Sequence, residues 1–198
     1  MGGRTGWQRV ARRIRVPLGF AFAAVYLWLA RPSWGTMAGS LLLVLPGLWL
    51  RGYASGYVKK DAELAVAGPY AHTRNPLYLG SMLMAYGFAA AAGRWEIAVA
   101  LTGLFAAIYI PTIQSEEAYL RAHFAGFEAY ARAVPRLLPR LTGWTVEGGE
   151  GGVAKGEFSM ELYLRHREYN SAMGAAAIYV ALAVRLVLPA LRQVSVVR

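Results

Sequence analysis

Five apolar runs separated by short polar segments constrain this chain more than any other feature of its sequence. Each run, helped by tryptophan or arginine side chains at its ends, is long enough to cross the ~30 Å apolar core of a bilayer as a helix. The pattern predicts an all-α, polytopic membrane protein that forms a single domain over residues 1–198. The expected transmembrane helices, about five, cover residues 16–30, 36–50, 77–92, 97–113 and 171–190.

The composition agrees with a membrane protein and excludes several functions. Hydrophobic residues make up 57% of the chain and charged residues 16%, whereas about a quarter of a soluble domain is charged. The absence of cysteine excludes disulfides, thiolate nucleophiles and cysteine-type zinc sites. We attribute the net charge of +10 to loops that face anionic lipid, and expect membrane lipid but no nucleic acid as a partner. We expect no metal site either, because the three histidines are scattered along the chain.

The polar segments divide the chain into four parts. Residues 1–67 predict a helical hairpin, which turns at residues 31–35, and an interfacial loop over residues 51–67. Residues 68–140 predict a core, in which residues 93–96 form a turn between two apolar runs. Residues 141–157 are rich in glycine and predict a flexible linker. Residues 158–198 predict a helical extension, whose apolar run either crosses the bilayer with Arg185 reaching towards its surface, or lies in the interface; we favour crossing.

The distribution of basic residues predicts the orientation. With the N-terminus in the cytoplasm, most lysines and arginines lie on the cytoplasmic side of the membrane. The composition, rich in Ala, Gly and Arg, is typical of a GC-rich bacterial genome. The sequence therefore predicts a multi-pass protein of a bacterial inner membrane, with its polar motifs at the cytoplasmic face.

A polar stretch at the start of the third run is the first candidate for a site: Gly68-Pro69-Tyr70-Ala71-His72-Thr73-Arg74-Asn75-Pro76-Leu77-Tyr78-Leu79-Gly80. The prolines restrict the residues before them, so Gly68 and Asn75 are expected outside regular helix. Pro76 suits the first position of a helix, where its missing N–H costs nothing. Irregular backbone at the edge of a membrane needs internal partners or a water-lined cavity. The stretch therefore predicts a pocket.

The fourth run leads into a second candidate region. Residues 114–133 have apolar side chains at helical spacing and predict an amphipathic helix on the cytoplasmic face. Two interpretations of its adjacent acids, Glu116 and Glu117, remain open. In one, both acids stabilise the start of this helix and Glu117 pairs with Arg121 one turn later. In the other, Glu116 faces inward and holds a cationic ligand.

Three basic or titratable residues, His72, Arg74 and Arg136, also have two interpretations. They contact lipid headgroups, or an arginine holds a carboxylate through its planar guanidinium beside a hydrogen-bonding histidine. The motifs of serine hydrolases, HExxH metalloproteases and dinucleotide-binding folds are absent from the sequence. Residue chemistry alone leaves the reaction open.

Together the two regions resemble a known enzyme superfamily. Gly68-Pro69-Tyr70 followed by Arg74-Asn75-Pro76-Leu77-Tyr78-Leu79-Gly80 is similar to GPY-x3-RHP-x-Y-x-G, and Glu116-Glu117 followed by Val134-Pro135-Arg136 is similar to EE…VPR. These are signatures of the isoprenylcysteine carboxyl methyltransferase and phospholipid methyltransferase superfamily. The resemblance covers residues 68–140. The chain departs from the pattern by having Asn75 in place of histidine, Ala125 in place of glycine and Phe127 in place of tyrosine.

The resemblance implies S-adenosylmethionine as the methyl donor, with S-adenosylhomocysteine as its product, and a lipophilic acceptor that enters from the bilayer. It implies Arg74 and Glu116 as catalytic residues, with Arg74 and Arg136 orienting the acceptor. The donor site is then expected to comprise Tyr70, His72, Asn75, Pro76, Tyr78, Leu79, Gly80, Glu116 and Glu117.

The acceptor and the reaction class have alternatives. Arg74 favours O-methylation of a carboxylate, while a phospholipid or small amine, or a thiol, are other acceptors. An NADPH-dependent membrane reductase and a non-catalytic membrane scaffold are the other classes of protein that fit this pattern. The sequence does not indicate an oligomeric state.

Overall fold

The computed structural model describes residues 22–58, 63–144 and 157–196, and this part of the chain is helical without any strand. The predicted all-α class is confirmed. The first helix, α1, is described over residues 22–29. The others are α2 (Trp34–Ser55), a 3-10 helix (Gly68–Ala71), α3 (Pro76–Ala91), α4 (Trp95–His123), α5 (Phe127–Ala133), α6 (Met160–His166) and α7 (Tyr169–Val196).

Three of the described helices are long and apolar enough to cross a membrane. They are Trp34–Ser55, Trp95–His123 and the Tyr169–Leu188 part of α7. Helix α3 is apolar but has only 16 residues. The first predicted run, residues 16–30, lies partly outside the described residues, so a total of five transmembrane helices stays a prediction.

Small residues allow α2 and α3 to pack backbone against backbone. A Cβ atom added to Gly80 would lie 2.8 Å from the carbonyl oxygen of Gly47 and 2.7 Å from Cγ of Arg51. A Cβ added to Gly47 would lie equally close to the Gly80 carbonyl, at 2.8 Å. Glycine at both positions lets the two helices approach, as is common between membrane helices.

The helix boundaries at one end of the bundle agree with the predicted hairpin turns. Ser33 begins α2 with a capping box, in which its Oγ accepts from the backbone N–H of Thr36 at 3.1 Å. Gly93 has φ +64°, and a Cβ there would lie 2.6 Å from the carbonyl oxygen of Arg31. The α1–α2 and α3–α4 turns therefore contact each other.

The other end of α2 was predicted wrongly. The expected loop began at Arg51, but the helix continues to Ser55. Tyr53 stacks on Trp49 with ring centroids 5.2 Å apart, and Ala54 and Ser55 are buried. The packing of this last turn keeps the chain helical, although the sequence becomes more polar after residue 50. Arg51 therefore lies on α2 and not in a loop.

Helix α4 also differs from the prediction. The fourth span and the amphipathic helix were expected as separate helices divided after residue 113, but a single helix runs from Trp95 to His123. Pro111 lies within it without ending it, because the loss of one N–H is tolerated in a long apolar helix whose other hydrogen bonds are intact. The break comes instead at Phe124, whose backbone is extended, with Gly126 preceding the short α5. Glu116 and Glu117 therefore lie near the end of a helix, so stabilisation by a helix N-terminus is excluded for them.

The C-terminal extension is bent close to its start. Ser159 caps α6, and Arg167, with φ 54° in the left-handed region, ends it. Helix α7 starts at Tyr169, so the helical extension expected over residues 158–198 consists of two helices. Most of the predicted glycine-rich linker lies outside the described residues.

Candidate functional site

The two polar regions meet at one cavity of about 790 Å³. The end of α2, the start of α3, the last third of α4 and the turn between α6 and α7 all contribute side chains to it. This volume falls in the range of small-molecule sites, roughly 300–1,000 Å³. The fold therefore brings two distant stretches of sequence to a single cavity, lined by both apolar and charged side chains.

The structure brings most of the predicted site residues to this cavity, but not all of them. His72, Leu79, Gly80 and Arg136 lie outside its lining. Gly80 instead faces α2, where it allows close packing. The predicted residues that line the cavity are Tyr70, Arg74, Asn75, Pro76, Tyr78, Glu116 and Glu117.

Pro76 and Asn75 adopt the expected local structure. Pro76 is the first residue of α3, and Asn75 precedes it with φ −128° and ψ 57°, outside the helical region. Gly68 has φ +58° and opens the 3-10 helix, so one short helical turn lies within a stretch predicted to be non-helical. A Cβ on Gly68 would also lie 2.5 Å from the ring of Tyr57, which makes glycine the residue that fits there.

Tyr78 connects the two sequence regions directly. Its hydroxyl donates to Oε1 of Glu116 at 3.0 Å, across 38 residues of sequence. The ring of Tyr78 also packs edge-on against Tyr109, with centroids 4.8 Å apart. Glu116 is solvent-accessible, and among the described residues it has no ion-pair partner. It is the carboxylate in the cavity most available to a cation.

Glu117 has a different environment from its neighbour. It is 5% exposed and forms ion pairs with two arginines. Arg74 NH2 lies 3.2 Å from its Oε1, and Arg136 NH2 lies 2.7 Å from its Oε2. The hydrogen bonds that Arg136 donates to Glu117 raise the pKa of the Arg136 guanidinium. The proposed pairing of Glu117 with Arg121 is therefore wrong, since Arg121 pairs with Glu128.

Arg74 is held almost entirely by protein groups. Besides Glu117, its NH1 donates to the carbonyl oxygen of Ala131 at 3.2 Å, and its backbone N–H donates to the Pro135 carbonyl at 3.0 Å. Its Nε is buried and has no hydrogen-bond partner within the described part of the chain. A buried N–H donor without a partner is costly, so this atom, on a residue that lines the cavity, is suited to a ligand oxygen.

The polar stretch is also bonded along its length to the segment after α5. His72 Nδ1 lies 2.9 Å from the carbonyl oxygen of Arg140, and Asn75 Nδ2 donates to the carbonyl of Arg136 at 2.8 Å. Thr73, 1% exposed, donates to the carbonyl of Leu137 at 3.0 Å. His72 therefore serves to dock this segment, which explains its position outside the cavity.

Two buried tyrosines form the floor between these elements. The Tyr130 hydroxyl donates to the backbone carbonyl of Tyr70 at 2.8 Å, and both residues line the cavity. Burial raises the pKa of Tyr70 and of Tyr130 above the ordinary value for a phenol. Both side chains therefore stay protonated at neutral pH and act as hydrogen-bonding groups rather than bases.

Sequence reasoning missed an ion pair that also lines the cavity. Arg51 of α2 and Glu168, in the turn before α7, lie within 2.8 Å of each other and beside Ser81 of α3. Arg51 had been placed in a loop, and Glu168 in an extension without a role. No spacing rule connects residues that are 117 positions apart.

The described residues contain no group of three or more side chains suited to a metal ion. Each of the three histidines uses its Nδ1 on a backbone carbonyl in a different place: His72 on Arg140, His123 on Tyr119 and His166 on Ser55.

The fold and the cavity define a class of protein: a helical membrane protein with a small-molecule cavity, lined by apolar and charged side chains, at the ends of its helices. Comparison with known families makes this more specific. Residues 37–126 match the model of the family described as phospholipid methyltransferase. This part of the chain is similar to that family, which is part of the superfamily of membrane methyltransferases named above.

Two curated relatives are similar over 106 residues. The chain is 35% identical to the nickel-cobalt-cadmium resistance protein NccN of Alcaligenes xylosoxydans xylosoxydans and 34% identical to the cobalt-zinc-cadmium resistance protein CzcN of Cupriavidus metallidurans. Each match covers 54% of this chain, and 49% and 48% of the respective relatives, so the chain spans about half the length of either. No solved structure matches the chain.

Proposed function

We propose that this protein transfers a methyl group from S-adenosylmethionine to a lipophilic acceptor at the membrane surface. One observation carries the proposal: the two signature regions, joined by the Tyr78–Glu116 hydrogen bond, line the same cavity. The family match implies methyl transfer, and a cavity of about 790 Å³ has room for the donor.

The groups lining the cavity fit the charges of the donor. Glu116 is suited to the ammonium group or the ribose hydroxyls, since it is accessible and without an ion-pair partner among the described residues. The unpartnered Nε of Arg74 is suited to a carboxylate, either the donor's or the acceptor's. Tyr70, Asn75 and Pro76 supply further lining.

When bound, S-adenosylmethionine supplies a methyl group whose bond to sulfur breaks, leaving the electron pair on sulfur, as a lone pair of the acceptor bonds to the methyl carbon. The protein's contribution is then to hold the two reactants in line and exclude competing water. Arg74 and Glu116 are the residues proposed to do so, and the ion pair of Arg74 with Glu117 fixes the guanidinium in place. Arg136 acts through the same glutamate and, lying outside the cavity lining, is proposed to position Arg74 rather than contact the acceptor.

Two acceptor classes have support. The partnerless Nε of Arg74 favours a carboxylate, and O-methylation then moves no proton because the acceptor is already deprotonated. A second candidate is an amine, since Glu117 and Glu168 already pair with Arg74 and Arg51 and leave little positive charge for an anionic acceptor. An ammonium acceptor must first lose a proton, and Glu116 is the cavity carboxylate proposed to take it.

Transfer of label from methyl-tritiated S-adenosylmethionine into a bacterial lipid extract, catalysed by the purified protein in detergent, tests the proposal. Alkali releases methanol from a carboxyl methyl ester but leaves an N-methyl group intact, so the same assay separates the two acceptor classes. Arg74→Ala and Glu116→Ala are expected to abolish transfer. Transfer that persists in both variants would contradict the assignment of these residues.

The family and the apolar helices support a membrane protein. We also propose that it lies in a bacterial inner membrane with its N-terminus and the cavity on the cytoplasmic side, where the donor is made. A cysteine introduced at the exposed Leu138 is expected to react with an impermeant maleimide only in inside-out vesicles.

A further inference from the structure

Arg51 and Glu168 bring the C-terminal segment to the wall of the cavity. Arg51 Nε and NH2 donate to the two carboxylate oxygens of Glu168 at 3.1 and 2.8 Å, a bidentate arrangement. The side chains are 22% and 12% exposed, and both line the cavity. Glu168 lies outside the segment that matches the methyltransferase family, so the C-terminal segment adds this charge to the family's core.

Further contacts fix the pair in position. Arg51 NH1 also donates to Ser81 Oγ, and to the carbonyl oxygen of Leu77 at 3.4 Å. Ser171 Oγ donates to Glu168 Oε2 at 3.1 Å. The pair is therefore held between α2, the first turns of α3 and the start of α7, and its charges have fixed positions relative to the cavity.

The charged side chains that line the cavity are two arginines and four glutamates: Arg51, Arg74, Glu63, Glu116, Glu117 and Glu168. Glu117 is matched by Arg74 and Arg136, and Arg51 is matched by Glu168. Glu116 is left as an accessible carboxylate with no ion-pair partner among the described residues. Without Glu168, the guanidinium of Arg51 would stand uncompensated in the same cavity and oppose the field of Glu116.

We propose that Glu168, by neutralising Arg51, sets the charge balance that makes the cavity prefer the sulfonium donor over its thioether product. This inference rests on the proposed function. S-adenosylmethionine carries a positive sulfur that S-adenosylhomocysteine lacks, and the two share their other charged groups. A change in the charge of the cavity therefore changes the affinities for the two compounds by different factors, whereas a change in its shape changes both by similar factors.

The expected size of this effect follows from the dimensions of the cavity. A sphere of about 790 Å³ is about 11 Å across, so a ligand within it lies roughly 10 Å or less from the wall charges. At ~10 Å, and with an effective dielectric constant between ~25 and ~50, one unit charge changes the affinity for another about three- to tenfold. Glu168 is thus a specificity-determining residue of moderate effect.

The test is to measure the Kd values of both adenosyl compounds by titration calorimetry in detergent, for the full-length wild type and for Glu168→Gln. The ratio of the Kd of the product to the Kd of the donor is expected to fall about three- to tenfold in E168Q. Arg51→Gln should move the ratio by a similar factor in the opposite direction. The double variant R51Q/E168Q, which removes both charges, should return it to within about twofold of wild type.

Glu161→Gln provides the matched control. Glu161 lies on α6, seven residues before Glu168, where it pairs with Arg165 and has an 80% exposed side chain. The ratio of the two Kd values in E161Q is therefore expected to match that of the wild type. If E168Q does not fold, the opposite shift in R51Q and its cancellation in the double variant carry the test.

Two results would overturn the inference, and they differ. If E168Q and R51Q change both Kd values by equal factors, the pair has a structural role only, and the proposed function stands. If the wild type binds neither adenosyl compound, the proposed function fails and this inference fails with it.

Discussion

The hydroxyl of Tyr78, in the first turn of α3, donates to the carboxylate of Glu116 near the end of α4, 38 residues away. Through this contact the two signature regions share one cavity. It leaves Glu116 accessible, while the adjacent Glu117 is buried between two arginines. Two neighbouring acids thus have separate roles, one facing a ligand and one holding the protein together.

Glu116→Gln is expected to weaken S-adenosylmethionine binding about tenfold or more, because hydrogen bonds to charged groups contribute about 1.5–3 kcal/mol. Tyr78→Phe should weaken it only about threefold, since the carboxylate remains and only its orientation is loosened. Calorimetric titration of both variants with S-adenosylmethionine measures which of them loses more affinity. Glu96→Gln, at the opposite end of α4, is the control and should bind like wild type. A larger loss in Y78F than in E116Q would contradict the role given to Glu116.

Glu117→Gln is expected to destabilise the fold, because it leaves the guanidinium of Arg74, 12% exposed, without its ionic partner. Removing one member of a buried ion pair costs about 3–5 kcal/mol, so the melting temperature in detergent should fall by several degrees or more. Glu128→Gln is the control: it breaks the exposed pair with Arg121, where both side chains are about half exposed, and should cost under about 1 kcal/mol. Equal melting temperatures for the two variants would show that Glu117 is not structural.

Gly80→Ala separates two roles for a residue that the signature places at the donor site. The added Cβ would meet Arg51 Cγ and the Gly47 carbonyl at 2.7 and 2.8 Å, so we expect about 1–3 kcal/mol of destabilisation from overpacking. Gly39→Ala, on α2 with no atom within 4 Å of the new Cβ, should be neutral or stabilising. Thermal unfolding measures both. A G80A protein with normal stability but weakened donor binding would instead place Gly80 in the donor site.

Truncation after residue 157 tests whether the C-terminal segment belongs to the same structural unit as the family core. The segment packs on α2 through Phe158, whose ring lies 6.0 Å from Tyr53, and through the Arg51–Glu168 pair. Truncation leaves Arg51 without its ionic partner, so we expect a lower melting temperature and weaker donor binding. Phe158→Ala, which keeps the pair, should lower stability with a smaller effect on binding. A truncated protein as stable as wild type would contradict this packing.

Local backbone chemistry made part of this structure predictable. Pro76 starts its helix, Ser33 caps the second one, and the turns at Arg31 and Gly93 fall where short polar segments interrupt the apolar runs. These features depend on neighbours in sequence. The apolar runs likewise predicted the class of fold, because a segment that crosses a bilayer as a helix makes its backbone hydrogen bonds within itself.

Tertiary contacts explain what was not predicted. The fourth span and the amphipathic helix were expected as separate helices, but α4 continues through both, with Pro111 inside it. The pairing of Glu117 with Arg74 and Arg136 replaced a local i, i+4 pair that spacing favoured. Arg51 and Glu168 left no sequence signal, because their encounter depends on how the C-terminal segment packs against α2.

The most direct test of the central claim is calorimetric titration of the detergent-purified wild type with S-adenosylmethionine, S-adenosylhomocysteine and NADPH in turn. We predict one saturable site for each adenosyl compound, weakened by Glu116→Gln, and no binding of NADPH. Binding of NADPH alone would assign the cavity to a reductase. Binding of none of the three would favour a scaffold and contradict the proposed methyltransferase.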